Sequence, residues 1–163
     1  MNFEKLHGDD EKGIREMSCM ATEIVREHFD PIIGKAQNDY MIELFQTPAA
    51  IRKQLDHGAS YYFVREDDRL IGFLAFYPRE GAMYLSKLYL YKNERGKGYS
   101  RKMLDFVVRA ARESGYASVE LNVNRNNDAV LAYEKLGFQV IRTEVNDIGN
   151  GFVMDDYVFR LKI

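Results

Sequence analysis

The chain contains a single cysteine, Cys19, so no disulfide can form within it. Cys19 lies between Met17 and Met20 in a stretch with helical apolar spacing, and we expect its thiol to pack in the core rather than to take part in catalysis. An unpaired cysteine is typical of proteins kept in a reducing compartment. The sequence therefore predicts an intracellular protein, which we place in the cytoplasm.

Other functional classes also lack their usual signals. The three histidines, His7, His28 and His57, are far apart and do not have the spacing of metal ligands, so we expect no metal site. No run approaches the ~20 apolar residues that a membrane span needs, and the first residues carry no apolar signal segment. With 23 basic and 25 acidic side chains the net charge is −2, which provides no overall basic field for nucleic acid. We therefore predict neither a membrane nor a nucleic-acid partner.

What remains is the composition of an ordinary folded protein. Of the 163 residues, 46% are hydrophobic and 29% are charged, and we find no repeats, low-complexity segments or linkers. This length suffices for one core without disulfide or metal support. The sequence predicts a single domain over residues 1–163.

The first third is predicted to be helical. Apolar residues from Glu16 to Phe29 recur at steps of three and four, which favours an amphipathic helix that Asp30-Pro31 ends. A second helix runs through 40–45. Thr47-Pro48 has the pattern of an N-cap followed by proline in the first helical position, so a third helix should begin there and end near Gly58.

After Gly58 the pattern changes to strands separated by turns. The predicted strands are 60–66, 70–77, 82–91, 117–123, 138–144 and 152–161, with helices ending at Gly115 and Gly137. A strand, helix and strand in succession require a crossover, which makes 82–91 and 117–123 parallel neighbours or near neighbours in a mixed sheet. A ligand should dock at the turn that follows the first of these strands.

That turn is rich in glycine and positive charge. Between Lys92 and Lys102 there are five basic residues and one acidic residue, a local charge of +4. Gly96 and Gly98 stand at the mouth of the next helix, where free N–H groups and the helix dipole favour an anion. The spacing fits neither the dinucleotide fingerprint, whose third glycine would be at Arg101, nor a nucleotide triphosphatase loop. We interpret the loop as a cradle for a diphosphate; the alternative is a solvated basic turn.

Two motifs carry a resemblance to a known family. The loop has an Arg, two residues, a Gly, one residue and a small residue, here Arg95, Gly98 and Ser100, although the family has Gly or Ala at the last position. The segment 126–138 follows with an Asn, a Tyr seven positions later and a Gly-Phe ending. Together these motifs resemble the GNAT superfamily of acyl-CoA-dependent N-acyltransferases, over roughly residues 70–142.

The resemblance implies an α/β fold with a mixed, mostly antiparallel sheet and helices on both faces. Its two central parallel strands would splay apart to admit the pantetheine arm of acetyl-CoA. Residues 70–142 would form the cofactor-binding core, and residues 1–58, which no motif covers, a helical region on the acceptor side.

The resemblance also implies which residues bind acetyl-CoA. Backbone groups of the first splayed strand would pair with the pantetheine arm, the loop would hold the diphosphate, and two later side chains would add hydrogen bonds. In order, these residues are Leu88, Tyr89 and Leu90; Arg95, Gly96, Lys97, Gly98, Tyr99, Ser100 and Arg101; and Asn126 and Lys135.

For catalysis, the motif register assigns Tyr133 as the general acid that protonates the departing thiolate. The general base is left open. Many family members carry a Glu near the start of the cofactor-binding strand, where this chain has Ser86-Lys87. The candidate bases are Glu120, Asp155 and Asp156.

The acceptor is predicted to be a small cationic amine or a polyamine. Four acids and no base lie between Thr143 and Asp156, which suits an ammonium group, and Tyr40, Asp155 and Asp156 are the candidate acceptor residues. Asp155 and Asp156 should point to opposite faces of a strand, so only one can face the acceptor.

The alternatives to a small-amine acetyltransferase are acetylation of a protein N-terminus or lysine, and a non-catalytic acyl-CoA-binding module. The assembly state is left open, with a homodimer as one alternative.

Overall fold

A computed structural model describes all 163 residues and contains five α-helices and one seven-stranded sheet. The elements are β1 (Asn2–Leu6), α1 (Glu11–Ile33), α2 (Lys35–Phe45), α3 (Pro48–Asp56), β2 (Ser60–Glu66), β3 (Arg69–Arg79), β4 (Ala82–Leu90), α4 (Tyr99–Glu113), β5 (Ser118–Asn124), α5 (Ala129–Lys135), β6 (Gln139–Gly149) and β7 (Phe152–Lys162). A single 3₁₀ turn, Lys92–Glu94, follows β4.

The sheet has the strand order β1-β2-β3-β4-β5-β7-β6. All neighbours are antiparallel except β4 and β5, which confirms the predicted fold class and the parallel pair. The parallel ladder holds only Met83 opposite Val119 and Tyr84 opposite Glu120. Beyond Tyr84 the two strands separate, and a gap opens in the middle of the sheet.

Helix α1 is longer than its sequence pattern indicates. It begins at Glu11, where the Asp10 side chain accepts a hydrogen bond from Gly13 N–H at 2.9 Å, and it passes through Pro31. The prediction that Asp30-Pro31 ends it is wrong. Pro31 lies in the last turn of the helix. A proline there removes one backbone hydrogen bond, but the residues after it still complete the turn. The predicted N-cap of α3 is confirmed, with Thr47 accepting from Ala50 N–H at 3.1 Å.

Strand β1 was not predicted, since the first third of the sequence indicates helices alone. Its five residues are mostly polar and exposed, with only Leu6 fully buried, so they carry little alternation. They form a strand because they pair with β2, from Asn2 opposite Arg65 to Leu6 opposite Tyr61. This edge strand depends on partners some sixty positions away.

Each face of the sheet carries its own core. On one face α4 packs through Met103, Leu104 and Val107. On the other, α1 packs through Ile14, Met17 and Met20, together with α3. Cys19 is exposed, which corrects the expectation that it packs in the core: two residues on from Met17, it lies on the outer side of α1. No helix of the chain combines the length and apolarity required to cross a membrane.

Candidate active site

A cavity of about 1210 Å³ opens where β4 and β5 separate. We divide it into two parts. The loop half is lined by the end of β4, the glycine loop and α5; the helix half is lined by α2, α3 and polar side chains of β3 to β7. Among the predicted cofactor residues, Leu88, Tyr89, Leu90, Arg95, Gly96 and Ser100 line the cavity, whereas Lys97, Gly98, Tyr99, Arg101, Asn126 and Lys135 do not.

In the loop half, the backbone of β4 faces the gap. Tyr91 N–H donates to Ile71 C=O at 3.0 Å, and Tyr89 pairs with Phe73, so these residues bond toward β3. Because alternate residues of a strand bond in opposite directions, the peptide groups of Leu88 and Leu90 point toward β5. The Leu90 carbonyl accepts from the Arg95 guanidinium at 3.1 and 3.2 Å. The other peptide groups of this edge are free to pair with an extended ligand.

The glycine loop provides both space and donors. Gly96 and Gly98 have φ of 77° and 81°, in the left-handed region that favours glycine. Gly98 is the N-cap of α4 and offers no side-chain cap, so the first N–H groups of the helix have no capping partner. A Cβ at either glycine would meet no atom within 4 Å, so the surface around them is open.

Part of the positive charge of the loop is neutralised by an acidic side chain of the protein itself. Glu94 is 4% exposed and forms ion pairs with Arg69 at 2.8 Å and Lys97 at 3.1 Å. The hydrogen bond from Arg69 is the main cause that lowers the pKa of Glu94 to about 2. Arg69 also donates to the Tyr99 hydroxyl at 3.4 Å. Lys97 and Tyr99 therefore brace the loop, while Arg101 stays exposed at the start of α4.

Tyr133 lies on α5 and lines the loop half. Its ring packs edge-on against Phe138, with 5.5 Å between the ring centroids. Burial raises the pKa of Tyr133 to about 12. The hydroxyl therefore keeps its proton at neutral pH, as a general acid must.

Of the two adjacent asparagines that precede α5, Asn127 lines the cavity, whereas the predicted Asn126 is exposed. Asn127 Oδ1 accepts from Ala129 N–H at 3.0 Å, a local turn that starts α5. The same oxygen bonds His28 Nε2 at 3.1 Å, which places the imidazole proton on Nε2, and Arg95 lies 3.5 Å from His28 Nδ1. His28 thus joins α1 to the loop, a role that its position in the sequence did not indicate.

The helix half has an acidic side built around Asn122. Its Nδ2 donates to Asp156 Oδ2 and to Glu144 Oε2, both at 3.3 Å, while its Oδ1 accepts from the Tyr84 hydroxyl at 2.9 Å. Asp156 is 2% exposed, and burial raises its pKa. Arg142, at 2.9 Å, is the main cause that lowers the pKa of Glu144.

The other predicted acceptor and base residues lie elsewhere. Asp155 forms an ion pair with Arg125 at 2.6 Å, outside the cavity. Glu120 pairs with Arg160 at 3.4 Å and does not line this cavity. It lines a small neighbouring pocket together with Arg79, Tyr84 and Asn122. Tyr40 does not line the cavity; its hydroxyl donates to Ile148 C=O at 2.8 Å and fastens α2 to the β6–β7 turn. Of the three candidate bases, the structure brings only Asp156 to the cavity.

A buried cation in the helix half was missed. Lys87 is 6% exposed, and its ammonium group donates to Phe45 C=O at 2.8 Å, Gln46 Oε1 at 2.9 Å and the Tyr61 hydroxyl at 2.5 Å. Burial lowers the pKa of Lys87 to about 7.

The backbone explains why simple alternation would misplace Lys87. Phe76 pairs with Leu85 and Ala75 pairs with Lys87, so Ser86 is an extra residue in β4. Such a bulge turns the following side chains to the opposite face. Leu85 therefore packs toward α4, while Lys87 projects over Ala75 to Tyr61 on the other face.

Comparison with known proteins finds similarity to acetyltransferases. The family model described as "Acetyltransferase (GNAT) domain" matches residues 32–159. A chloroplastic GCN5-related N-acetyltransferase 6 of Arabidopsis thaliana is 38% identical over 61 residues, which are 37% of this chain and 21% of that protein.

Solved structures share the fold over the whole chain. The PaiA N-acetyltransferase of Thermoplasma acidophilum in complex with coenzyme A has a TM-score of 0.73 at 20% identity, with 100% of both chains covered. The ribosomal-protein-alanine N-acetyltransferase of Brucella melitensis has a TM-score of 0.65 at 16% identity, again with 100% of both chains covered. At these identities the likeness concerns the fold alone.

Proposed function

Because the chain belongs to the GNAT acetyltransferase family, we propose that it transfers an acetyl group from acetyl-CoA to a primary amine. The observation that carries this proposal is the gap between β4 and β5, where the peptide groups of Leu88 and Leu90 face a cavity that continues to an uncapped helix N-terminus.

The loop half suits coenzyme A. The pantetheine arm is an extended chain with amide groups, which the backbone of Leu88–Leu90 can bind as it would bind another strand. The N–H groups of 96–101 offer donors to a diphosphate, and Arg101 is an exposed cation beside them. Contacts from Asn126 and Lys135 stay predictions, since both side chains are exposed and turned away from the cavity.

Acetyl transfer needs a neutral amine. With a pKa of ~10.4, only about one lysine-like amine in 2,500 is neutral at pH 7, equivalent to ~4.6 kcal/mol. Asp156 is our proposed base, because it lines the cavity and burial raises its pKa toward that of a useful proton acceptor. It takes a proton from the ammonium group, and the freed nitrogen then attacks the thioester carbon.

The remaining steps fall to the loop half. The Leu88 N–H points into the gap, where it can stabilise the negative charge that develops on the thioester oxygen. Collapse of the intermediate breaks the carbon–sulfur bond, and Tyr133 gives its proton to the sulfur, so that free coenzyme A leaves as a thiol. The nitrogen releases its second proton to solvent as the amide forms, and a solvent proton restores the Tyr133 hydroxyl.

Asp156 and Glu144 support a cationic acceptor, in line with the predicted small amine or polyamine. Since Asp156 is only 2% exposed, an acceptor must enter the cavity to reach it. This favours a small molecule over a lysine on a folded protein.

We also propose that residues 1–58 form the acceptor side and 70–142 the cofactor core of one domain. The cytoplasmic location and the assembly state stay predictions.

The test is a panel of amines, amino acids and peptides incubated with acetyl-CoA and scored for release of free coenzyme A. Release that depends on a small amine is the expected result. Release with peptides alone would instead indicate protein acetylation. Binding of acetyl-CoA without any turnover would indicate a non-catalytic module and would contradict the proposal.

A further inference from the structure

The helix half contains four basic side chains that have no acidic partner. Lys53 and His57 are on or next to α3, Arg79 is at the end of β3, and Lys87 is in β4; all four line the cavity. None of them lies within 4 Å of a carboxylate, although the chain forms a dozen ion pairs elsewhere. We call this set the basic side.

Lys87 is held there by neutral oxygens alone. Gln54 Nε2 donates to Phe45 C=O at 3.1 Å, so Gln54 Oε1 is the acceptor for the Tyr61 hydroxyl proton. The Tyr61 oxygen is then free to accept from Lys87, as the Phe45 and Gln46 oxygens also do. When Lys87 is protonated, all three ammonium protons are bonded, yet no carboxylate lies within 4 Å to balance the charge. Such a cation favours an anion in the adjacent cavity.

Arg79 is the side chain that can contact such an anion directly. Its guanidinium lies over the ring of Tyr84, 4.4 Å from the centroid, and has no ion pair with Glu80, its exposed neighbour in sequence. A free guanidinium has the planar, paired donors that match a carboxylate. Lys53, on α3, lines the same cavity and adds a further positive charge.

The basic side and the acidic side are separated within the same half of the cavity. Tyr84 stands between them: its ring carries Arg79, and its hydroxyl donates to Asn122, which in turn bonds Asp156 and Glu144. One aromatic ring and one amide therefore separate the free cation from the acids. An α-amino acid carries both of its charged groups on one carbon, whereas an acceptor that meets both sides needs them several bonds apart.

From this arrangement we propose that the acceptor is an amine that also carries a carboxylate several bonds away, an ω-amino carboxylate, with its ammonium at Asp156 and its carboxylate at Arg79. The inference rests on the proposed function and narrows its acceptor. It distinguishes such acceptors from polyamines, whose second ammonium would be repelled by Arg79 and Lys87.

The experiment compares three matched series of three to six carbons: ω-amino carboxylates, α,ω-diamines and n-alkylamines. Initial rates are measured with acetyl-CoA at saturation for wild type, Arg79→Gln and Lys87→Met, and for Arg109→Gln, an exposed control on α4. At one length or more, the wild type should prefer the amino carboxylate over the alkylamine by about fivefold or more in kcat/KM, as for a partly exposed ion pair of ~1 kcal/mol.

The variants locate the effect. Arg79→Gln should remove the preference by raising KM for amino carboxylates more than KM for alkylamines, so that the ratio of the two kcat/KM values falls to about one. Lys87→Met should weaken it in the same direction, and Arg109→Gln should leave it unchanged. Because Arg79 is only partly buried, its variant keeps the test valid even if Lys87→Met fails to fold.

Two outcomes would overturn the inference. A preference for diamines, or equal rates for all three series, would show that the basic side does not select an anion, yet either result would leave the proposed acetyl transfer intact. Turnover of none of the amines, with acetyl-CoA still bound, would instead refute the proposed function, and this inference with it.

Discussion

The two halves of the cavity are built in different ways. The loop half presents backbone groups: the peptide edge of Leu88–Leu90 and the N–H groups after Gly98. The helix half presents side chains from distant segments, such as Lys87, which bonds Phe45 at a separation of 42 residues. A backbone site depends mainly on local conformation, whereas a side-chain site depends on how the whole chain packs. We therefore expect changes in the first to affect cofactor binding and changes in the second to affect the acceptor.

The largest effect is expected for Gly98→Val. A valine at φ 81° is strained, and its side chain would enter the open space where we propose that the diphosphate binds. The stabilisation of the protein by acetyl-CoA in thermal unfolding should be lost.

The matched control is Gly115→Val, at the other end of α4. Gly115 has φ 84° and equally open surroundings, so the strain is similar but no ligand is near. The control should lower the melting temperature and keep the shift with acetyl-CoA. If Gly98→Val keeps the shift as well, the diphosphate is not bound at this loop.

Tyr133→Phe should separate chemistry from binding within the loop half. The change removes only the hydroxyl, so affinity for acetyl-CoA should stay at the wild-type value while kcat falls by ~10²-fold or more. Calorimetric titration and initial rates measure the two effects. Tyr116→Phe, on a tyrosine that does not line the cavity, is the control. Unchanged kcat in the Tyr133 variant would return this residue to a packing role.

In the helix half, Asp156→Asn should reduce kcat/KM for the amine by ~10²-fold or more, because the proposed general base is lost, without changing acetyl-CoA affinity. Asp155→Asn, outside the cavity, should leave both values unchanged. The opposite pattern would place the acceptor on the other face of β7.

Asp156→Asn should also change how the stability of the folded protein depends on pH. Burial raises the pKa of Asp156, so its ionised form destabilises the folded state above the unfolded pKa, near 4. Asp156→Asn should therefore be at least as stable as wild type at pH 7, and this advantage should vanish as the pH falls through 4. Thermal unfolding across this range measures it. A variant much less stable at pH 7 would mean that the carboxylate has a structural role.

The last effect concerns Lys87 and is seen in stability rather than in activity. Its folded pKa of about 7 lies below the unfolded value of ~10.4, so the unfolded chain binds more protons between these limits and this group makes stability rise with pH. From pH 7 to 9 the wild type should gain up to about 1.4 kcal/mol per pH unit relative to Lys87→Met in urea unfolding. Lys12→Met, at an exposed lysine, should follow the wild type. Parallel curves for wild type and Lys87→Met would show that Lys87 keeps its proton throughout.

The features that could be predicted from the sequence, and those that could not, divide in the same way as the two halves of the cavity. The glycine loop and the N-cap at Thr47 were predicted because each depends on residues that are neighbours in sequence. The parallel strands were predicted because a strand, a helix and a strand in succession require a crossover. Asn127 could not be distinguished from Asn126, because a local turn decides which side chain faces inward. Lys87 could not be placed, because the bulge at Ser86 reverses the alternation of β4.

Amide hydrogen exchange with and without acetyl-CoA tests the division of the cavity most directly. We predict protection of the Leu88 and Leu90 amides and of the amides at 96–101, with no change along α3 or in 144–156. Protection confined to the helix half, or absent from the edge of β4 despite bound acetyl-CoA, would contradict the assignment of the gap to the cofactor.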